Sequence, residues 1–410
     1  MLTKNSLFTE RICHREAGWD MLLRVTILLT GATGFLGSRL LLGLLTTRER
    51  EVTVLGRGAP SALRARVVNT LENLAGGELG APARTRLRCV SGDVTHSWLG
   101  LSPAVYGRLA QEAEAVWHCA GDIALTGERE RLFDVNVRGT AHVLDFAELT
   151  PPACTLVHMS TMAVAGRRRT GTITEEDLSD SFGFETHYDE SKYRAEELVR
   201  TWASRLDRSA VVLRPSVVAS DAEFRQGLPT HPLRVLGEMI DSLARTGVPG
   251  IPSVASLRTG QATLRLRLPV AADAAFNIVP DHYATEAMLR IGHDTRPDER
   301  GVRTCHIVHP QETATRLIFE AVEARYPGLT ITCVEDLPDP TPAERFVAAN
   351  LPGFLSYCHH TRTYDRTTTL THTAGLGDPP PIDRAYLIRS LGLAQEDSGG
   401  PANDAPSRGG

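Results

Sequence analysis

The stretch that decides the fold is LLRVTILLTGATGFLG, residues 22–37. It begins with an apolar run rich in β-branched residues, which is typical of a strand buried on both faces. It then turns through Gly31, Gly34 and Gly37 into residues 38–46, SRLLLGLLT, which predict a helix. This order predicts a dinucleotide site, because the first glycine allows the tight turn, the second admits a pyrophosphate and the third lets helix and strand pack closely. An ordinary strand–turn–helix that needs glycine only for its geometry is the alternative.

Composition narrows the classes of protein without choosing among them. The 410 residues carry 44 Lys and Arg against 49 Asp and Glu, a net charge of −5, and 42% are hydrophobic. These values are ordinary for a globular protein and give no support for nucleic acid as a partner. The seven cysteines are scattered without a C-x-x-C pair, which predicts reduced thiols in a cytoplasmic protein. No apolar run approaches the ~18 residues of a membrane span, and His359, His360 and His372 lack metal-ligand spacing.

Short apolar runs alternate with helical segments up to residue 216. Further strands are predicted at 51–57, 86–93, 113–121, 154–161 and 210–214, and helices at 63–74, 131–149 and 188–205. This alternation predicts an α/β fold, a Rossmann-type doubly wound parallel sheet with a smaller C-terminal substrate lobe.

Four segments follow from this pattern. Residues 1–21 are predicted to be an N-terminal extension, and one hypothesis is that the native chain starts at Met21. Residues 22–216 are predicted to form a dinucleotide-binding Rossmann domain. Residues 217–392 form a substrate-side lobe interleaved with the sheet, with strands at 276–280 and 304–308 and helices at 284–291 and 313–325. Residues 393–410 are predicted to be a disordered tail.

The end of the second strand bears on cofactor choice. An acidic residue there would hold the adenosine ribose, whereas an arginine suits a 2′-phosphate. The strand ends Gly56-Arg57 with no acid, which predicts NADPH, the alternative being an arginine on a solvated turn. Asp93, at the end of the third strand, would bind the adenine amino group or cap the next turn.

Tyr188 and Lys192 are the second decisive feature. Residues four apart on a helix share one face. A protonated lysine beside a phenol favours phenolate and would bring the tyrosine pKa down from ~10, so that the phenol can exchange a proton with a substrate oxygen. A strand ending Ser160-Thr161 places a hydroxyl where it can bind the same oxygen. Y-x-x-x-K alone is common in any helix, and it gains weight here from its position after the glycine turn.

Five pieces in order now resemble the extended short-chain dehydrogenase/reductase superfamily. They are TGATGFLG at 30–37, NVRGT at 136–140, Ser160-Thr161, Tyr188-x-x-x-Lys192 and Arg214-Pro215. Within it the chain is most similar to the thioester reductase branch, which includes terminal reductase domains of peptide and polyketide synthetases, carboxylic acid reductases and fatty acyl-CoA reductases. The segments that carry this similarity are residues 92–95, 99–102, 117–120, 160–166, 183–184 and 191–196. The sequence departs from that pattern at Cys119, at His282 and in residues 216–221.

The resemblance implies roles for particular residues. Thr161, Tyr188 and Lys192 would be the catalytic triad, with Tyr188 as proton donor, and Asn136 would hold the architecture of the site. The residues expected to bind the cofactor NADP(H) are Thr30, Gly31, Thr33, Gly34, Phe35, Leu36, Gly37, Arg57, Asp93, Val94, His118, Ala120, Tyr188, Lys192, Pro215 and Val217.

The leading functional hypothesis is an NADPH-dependent reductase of an acyl thioester that releases an aldehyde or alcohol. No adenylation or carrier domain is evident, so the thioester would arrive on a separate carrier protein or as a coenzyme A ester, to a monomer or homodimer. One alternative is an NAD(P)-dependent nucleotide-sugar epimerase or dehydratase, or a hydroxysteroid-type dehydrogenase. A second is a non-catalytic NADP(H)-binding protein.

Two further motifs are interpreted as ordinary structural features. Asp241-Ser242-Leu243 resembles a phosphopantetheine attachment site, but its surroundings do not leave a carrier domain. Residues 167–169, three consecutive arginines, predict a solvated loop, with contact to a substrate phosphate or an acidic carrier as the alternative.

Overall fold

The computed structural model describes residues 26–47, 51–243, 251–294 and 299–393. The predicted N-terminal extension and residues 394–410 of the predicted tail lie outside the described residues. The strands are β1 (Thr26–Thr30), β2 (Glu51–Gly56), β3 (Leu87–Ser91), β4 (Ala113–His118), β5 (Thr155–Met159), β6 (Thr172–Ile173), β7 (Ser209–Pro215), β8 (Val217–Ala219), β9 (Leu264–Pro269), β10 (Ala275–Phe276), β11 (Ile278–Pro280), β12 (Gly301–Ile307), β13 (Thr313–Ala314), β14 (Leu329–Val334) and β15 (Thr363–Tyr364).

The helices alternate with these strands in the first half of the chain and cluster in the second. They are α1 (Phe35–Thr47), α2 (Pro60–Ala75), α3 (Ala81–Arg86), α4 (Pro103–Glu112), α5 (Arg129–Phe133), α6 (Gly139–Glu148), α7 (His187–Leu206), α8 (Pro232–Leu243), α9 (Val254–Arg258), α10 (Asp281–His293), α11 (Thr315–Arg325), α12 (Pro342–Asn350), α13 (Pro352–Tyr357), α14 (Thr367–His372) and α15 (Arg384–Ser390).

Seven strands form one parallel sheet in the order β3-β2-β1-β4-β5-β7-β12. The chain winds outward in one direction from β1 to β3 and in the other from β4 onward, so the predicted Rossmann-type doubly wound sheet is confirmed. The strand order reverses between β1 and β4. In sheets of this kind, ligands bind in the crevice outside the carboxyl ends of the strands at that point.

The apolar run of β1 is explained by cores on both faces of the sheet. Ile27 and Leu29 belong to a core that also contains α1, α2 and α10. Leu28, between them, belongs to the opposite core, with residues of α4, α6 and α7. Because side chains alternate along a strand, a strand with helices on both faces must be apolar at every position.

The second half of the chain forms a C-terminal lobe around a core of its own. Its centre is the parallel pair β9 and β14, packed with α8, α11, α12, α13 and α15. The lobe also returns to the main sheet, since β12 pairs with β7 along seven residues. The smaller pairs β11–β8 and β15–β6 join segments from the two halves in the same way.

The structure differs from the prediction at residues 276–280, where one strand was expected. Two short strands occur instead: β10 pairs antiparallel with β13, and β11 pairs parallel with β8. Asn277 separates them, because its side chain donates to the His309 carbonyl at 2.9 Å and accepts from the His309 amide at 2.8 Å. The predicted helix 131–149 is likewise divided, by a π-helical turn at Asp134–Arg138.

A buried ion pair attaches α7 to the sheet. Arg214, on β7, donates to both carboxylate oxygens of Glu196 on α7, at 2.6 and 3.0 Å, and both side chains are fully buried. Ser160 and Arg200 donate to the same carboxylate at 2.7 and 3.0 Å. Burial alone would raise the pKa of Glu196, but these partners, Arg214 first, outweigh it and hold the pKa below its usual range.

Removing one member of this pair should therefore destabilise the protein strongly. We expect Arg214→Met to lower the free energy of unfolding by about 3–5 kcal/mol, because it leaves the Glu196 carboxylate buried without its main counter-charge. Arg205→Met is the matched control, since Arg205 pairs with Glu148 at the surface of the same region, and should cost less than about 1 kcal/mol. Urea unfolding of both variants measures the difference. Similar losses in the two would show that the buried pair has no special weight.

Candidate dinucleotide and active site

The glycine turn after β1 is shaped by close backbone contacts. A Cβ atom on Gly31, whose φ is +75°, would lie 2.5 Å from the Ala120 backbone nitrogen at the end of β4. A Cβ on Gly37 would lie 2.1 Å from the Gly31 carbonyl oxygen. Gly34 is exposed, and its Cβ would meet only that same oxygen, at 3.3 Å. The turn therefore presents open backbone at the N-terminus of α1, which fits the phosphates of a dinucleotide.

Thr30 and His118 shape this turn from inside the protein. The His118 ring is buried, with Thr30 Oγ1 2.9 Å from Nδ1 and Thr140 Oγ1 3.1 Å from Nε2. Because the Thr140 hydroxyl donates to the Asn136 carbonyl at 2.6 Å, the network assigns the proton to Nε2 and makes Nδ1 an acceptor. Burial, with the Lys192 charge, lowers the pKa of His118 to about 3, so the ring is neutral. Both residues are predicted to bind the cofactor, and in the structure their side chains make these internal hydrogen bonds.

The other predicted cofactor residues occupy different environments. Asp93 Oδ1 accepts hydrogen bonds from the Thr95 amide and hydroxyl, both at 2.9 Å. Asp93 therefore caps the turn after β3, which is one of its two predicted roles. Val94 is buried in the core under α6. Thr33 is exposed on the glycine turn, and Arg57 is exposed where β2 ends.

The remaining members of that set lie around the turn and the end of β7. The Arg39 guanidinium stacks 3.7 Å from the centre of the Phe35 ring, and Leu36 packs against the first core. Pro215 ends β7, and Val217 begins β8 and packs against the core of the C-terminal lobe. Ala120 is half-buried beside Gly31.

Helix α7 carries two of the three predicted catalytic side chains, Tyr188 and Lys192, to the carboxyl end of β5, where Thr161 follows the strand. Its first turn is capped by the Thr186 hydroxyl, which accepts from the Asp189 amide at 3.3 Å. Tyr188 is half-buried, and its phenol lies near enough to the Thr161 side chain, two residues beyond β5, for Thr161 to affect its pKa. One turn further, Lys192 is buried, and its Nζ donates to the Met159 carbonyl at 2.6 Å.

The electrostatics at Tyr188 differ from the sequence-based prediction. Burial raises the pKa of Tyr188 to about 12; the Thr161 hydrogen bond opposes this rise and the Asp189 charge adds to it. The expectation that Lys192 lowers the tyrosine pKa is wrong for this structure, because the ammonium group is directed to the Met159 carbonyl. Burial lowers the pKa of Lys192 to about 8, against the opposing charges of Glu196 and Cys119.

Lys192 also connects the catalytic helix to the glycine turn. Its charge acts on His118 and on Cys119, at the end of β4. The backbone of Cys119 is the surface against which Gly31 packs, 2.5 Å from the position of a Cβ there. The glycine turn, the end of β4 and the Tyr188–Lys192 face of α7 therefore form one continuous region.

Asn136 lies on the π-helical turn and connects two walls of this region. Its amide nitrogen donates to the Asp122 carbonyl and to Ser191 Oγ, both at 2.9 Å, and its oxygen accepts from the Asp122 amide at 2.8 Å. These bonds tie the loop after β4 to α7. The extra residue of a π turn is frequent at functional sites, and here it carries this side chain.

Sequence reasoning missed the residues that support the triad. Ser160 was grouped with Thr161, but its hydroxyl turns to the buried Glu196 at 2.7 Å. Glu196 follows Lys192 by four positions on the same helix face, a spacing that could have revealed it. Asp189 and Tyr357, 168 positions apart, are joined by a hydrogen bond that no local pattern predicts.

The three consecutive arginines at 167–169 and the motif at Asp241 both form ordinary structural contacts. Arg167 and Arg169 both pair with Glu185, and Arg168 pairs with Asp177. Asp241 lies on α8 and bonds to Tyr326 and Arg258.

Within the described ranges, no helix combines the length and the apolar character that a membrane span requires. In the same ranges no three His, Cys, Asp or Glu side chains are grouped so that they could hold a metal ion.

Comparison with known proteins agrees with this geometry. A family model described as male sterility protein, an NAD-binding family, matches residues 29–256. The chain is 33% identical over 183 residues to an isonitrile lipopeptide synthase of Streptomyces coeruleorubidus, covering 44% of this chain and 12% of that protein. It is 27% identical over 306 residues to a carboxylic acid reductase of Mycobacterium marinum, covering 70% and 24%. The chain thus spans a quarter or less of these relatives' lengths.

A solved structure shares the fold. The terminal R domain from the myxalamid PKS-NRPS biosynthetic pathway superposes with a TM-score of 0.68 at 24% identity, over 90% of both chains. The fold and the site define a nicotinamide-dependent oxidoreductase of the extended short-chain dehydrogenase/reductase type. Since the family model matches more than half of the chain, the protein belongs to the male sterility-type NAD-binding family, and the resemblance to the thioester reductase branch is confirmed.

The close contact at Gly37 makes a test of the dinucleotide site. We expect Gly37→Ala to weaken nicotinamide dinucleotide binding at least tenfold and to destabilise the protein by about 1–3 kcal/mol, because its Cβ would overlap the Gly31 carbonyl. Gly77→Ala is the control, since a Cβ there meets no atom within 4 Å. Calorimetric titration and thermal unfolding measure both quantities. Unchanged affinity in Gly37→Ala would rule out this turn as the phosphate cradle.

Proposed function

We propose that this chain is an NADPH-dependent reductase that transfers hydride to the carbonyl carbon of an acyl thioester. The observation that carries the proposal is the placement of the Tyr188 phenol beside the Thr161 side chain, with Lys192 one helical turn away, next to the glycine turn at the switch point of the sheet. The relatives named above, a lipopeptide synthase and a carboxylic acid reductase, support acyl thioesters as the class of substrate.

Thr161, Tyr188 and Lys192 have different roles in the proposed reaction. The nicotinamide, when bound, supplies the hydride. Thr161 Oγ and the Tyr188 phenol donate hydrogen bonds to the carbonyl oxygen, and Tyr188 gives up its proton as negative charge develops there. The raised pKa of Tyr188 keeps the phenol protonated at neutral pH, which is the form a proton donor needs. Lys192, charged below a pH of about 8, would bind the ribose of the cofactor.

The product of this step is a thiohemiacetal. Its carbon–sulfur bond breaks, the thiol leaves with the hydroxyl proton, and an aldehyde is released. A second hydride and proton would convert the aldehyde to an alcohol at the same residues. The thioester is held by an acyl or peptidyl carrier or by coenzyme A, in keeping with relatives in which the matching region is at most a quarter of a longer protein.

The test of this function is consumption of NADPH at 340 nm with acyl-CoA and acyl-carrier thioesters. We expect Tyr188→Phe to lower kcat at least 10²-fold, because the phenolic proton is lost, with NADPH affinity unchanged. Tyr193→Phe on the same helix is the control, since its ring packs on Phe184 at 5.2 Å in a separate contact, and it should stay near wild type. Full activity of Tyr188→Phe would exclude it as the proton donor.

Cofactor preference is tested at Arg57. We expect Arg57→Ala to weaken NADPH binding by about 10–100-fold, since a hydrogen bond to a charged group contributes about 1.5–3 kcal/mol, and to leave NADH binding unchanged. Arg108→Ala, exposed on α4, is the control. Equal binding of both nucleotides by the wild type, or NAD retained through purification, would instead favour a nucleotide-sugar epimerase or dehydratase.

A further inference from the structure

Asp189, the residue after Tyr188, is a fully buried carboxylate that forms no ion pair with any of the described residues. Its Oδ1 accepts from Thr186 Oγ1 at 2.9 Å and from the hydroxyl of Tyr357. Its Oδ2 is buried and accepts no hydrogen bond from a described residue. A buried carboxylate satisfied on one oxygen only is costly. Its place in the first turn of the catalytic helix therefore calls for an explanation.

The partner Tyr357 belongs to the C-terminal lobe, at the end of α13. Its ring packs edge-on against His360 at 5.5 Å, and His360 Nε2 lies 3.3 Å from Glu185 Oε1. One turn earlier on α13, Phe354 stacks flat on Phe276, with ring centres 5.2 Å apart. Because α13 is anchored at both points, the Tyr357 hydroxyl forms a direct bond from a fixed part of this lobe to the first turn of α7.

Several charged and titratable groups surround Asp189. Glu185 precedes it in the loop, Tyr188 is its neighbour on α7, and the C-terminal lobe contributes Tyr357, His360, Arg362 and Tyr364. Arg362 is buried, with its donors on the Gly166 and Arg168 carbonyls and the Tyr364 hydroxyl.

The balance of these groups sets the charge of Asp189. Burial raises its pKa to about 6, against the opposing hydrogen bonds from Tyr357 and Thr186, the charge of Arg362 and the Glu185 backbone. The carboxyl group therefore changes charge within the pH range of an ordinary assay.

We propose that Asp189 and Tyr357 are a positioning pair, in which the ionised carboxylate binds the Tyr357 hydroxyl and so holds the first turn of α7, with Tyr188, against the C-terminal lobe. This proposal rests on the proposed function, in which Tyr188 is the proton donor. A hydrogen bond to an ionised acceptor is roughly twice as strong as one between neutral groups. Protonation of Asp189 weakens the link, and a misplacement of about 1 Å at a reacting group can cost 10²-fold in rate.

The experiment is the pH profile of kcat from pH 5 to 8, with NADPH and octanoyl-CoA as probe. In the wild type kcat should fall on acidification with an apparent pKa of about 6. This fall is the acidic limb of the pH profile. Tyr357→Phe should lower kcat about tenfold at pH 7 and flatten this acidic limb, because protonation of Asp189 then has no bond to Tyr357 left to weaken. Asp189→Asn should be slower but flat across the range, because nothing at this position titrates. KM for NADPH should stay unchanged in both.

Two control variants separate this proposal from other causes. Tyr326→Phe removes a hydroxyl that bonds to Asp241 inside the C-terminal lobe and should leave both kcat and the limb in place. Glu312→Gln removes a half-buried carboxyl that bonds to Asn277 and whose pKa burial raises to about 7. It should also leave the limb unmoved.

The outcomes distinguish a failure of the positioning pair from a failure of the proposed reductase function. A limb that disappears in Glu312→Gln but persists in Asp189→Asn overturns the proposal, as does loss of kcat in both pair variants with the limb unmoved. An active wild type with either result overturns the positioning pair alone. A wild type that consumes no NADPH with any thioester overturns the proposed function and this pair with it.

Discussion

The fully buried ion pair between Glu196 and Arg214 is the interaction on which the site depends. It attaches α7 to β7, and through Ser160 it reaches the end of β5. Arg200, one turn after Glu196, extends the network to Thr304 on β12 at 2.7 Å. Removal of either charge would leave the other buried without its counter-charge, so the pair holds α7 against the sheet.

This pair also sets the conditions for Lys192, one helical turn before Glu196. Burial favours the neutral amine, and the Glu196 carboxylate opposes this, so the ammonium persists near neutral pH. On its other side the same charge faces Cys119 and His118, where β4 ends against the glycine turn. Lys192 therefore lies between the two constraints of the site, an ionic one under α7 and a steric one at Gly31.

The C-terminal lobe is joined to the Rossmann sheet at several points. β12 forms the edge of the main sheet, and β11 and β15 pair with β8 and β6. The buried Glu175 adds a polar connection, because it accepts from the His306 amide at 2.9 Å and from the Thr368 amide at 2.6 Å. With the lobe held in this way, a contact such as Tyr357 to Asp189 can fix the position of the catalytic helix.

The sequence by itself determined the Rossmann sheet, the glycine turn and the Tyr188–Lys192 spacing, because each depends on residues that are close in the chain. Strand, turn and helix start fit within residues 22–47, and two positions four apart on a helix must share a face. Only the tertiary structure decided the direction of the Tyr188 pKa shift, the internal role of Thr30 and His118, and the division of residues 275–280 between two sheets. These depend on burial and on partners from other elements of the fold, and the energy of a buried charge or hydrogen bond is set mainly by what packs around it.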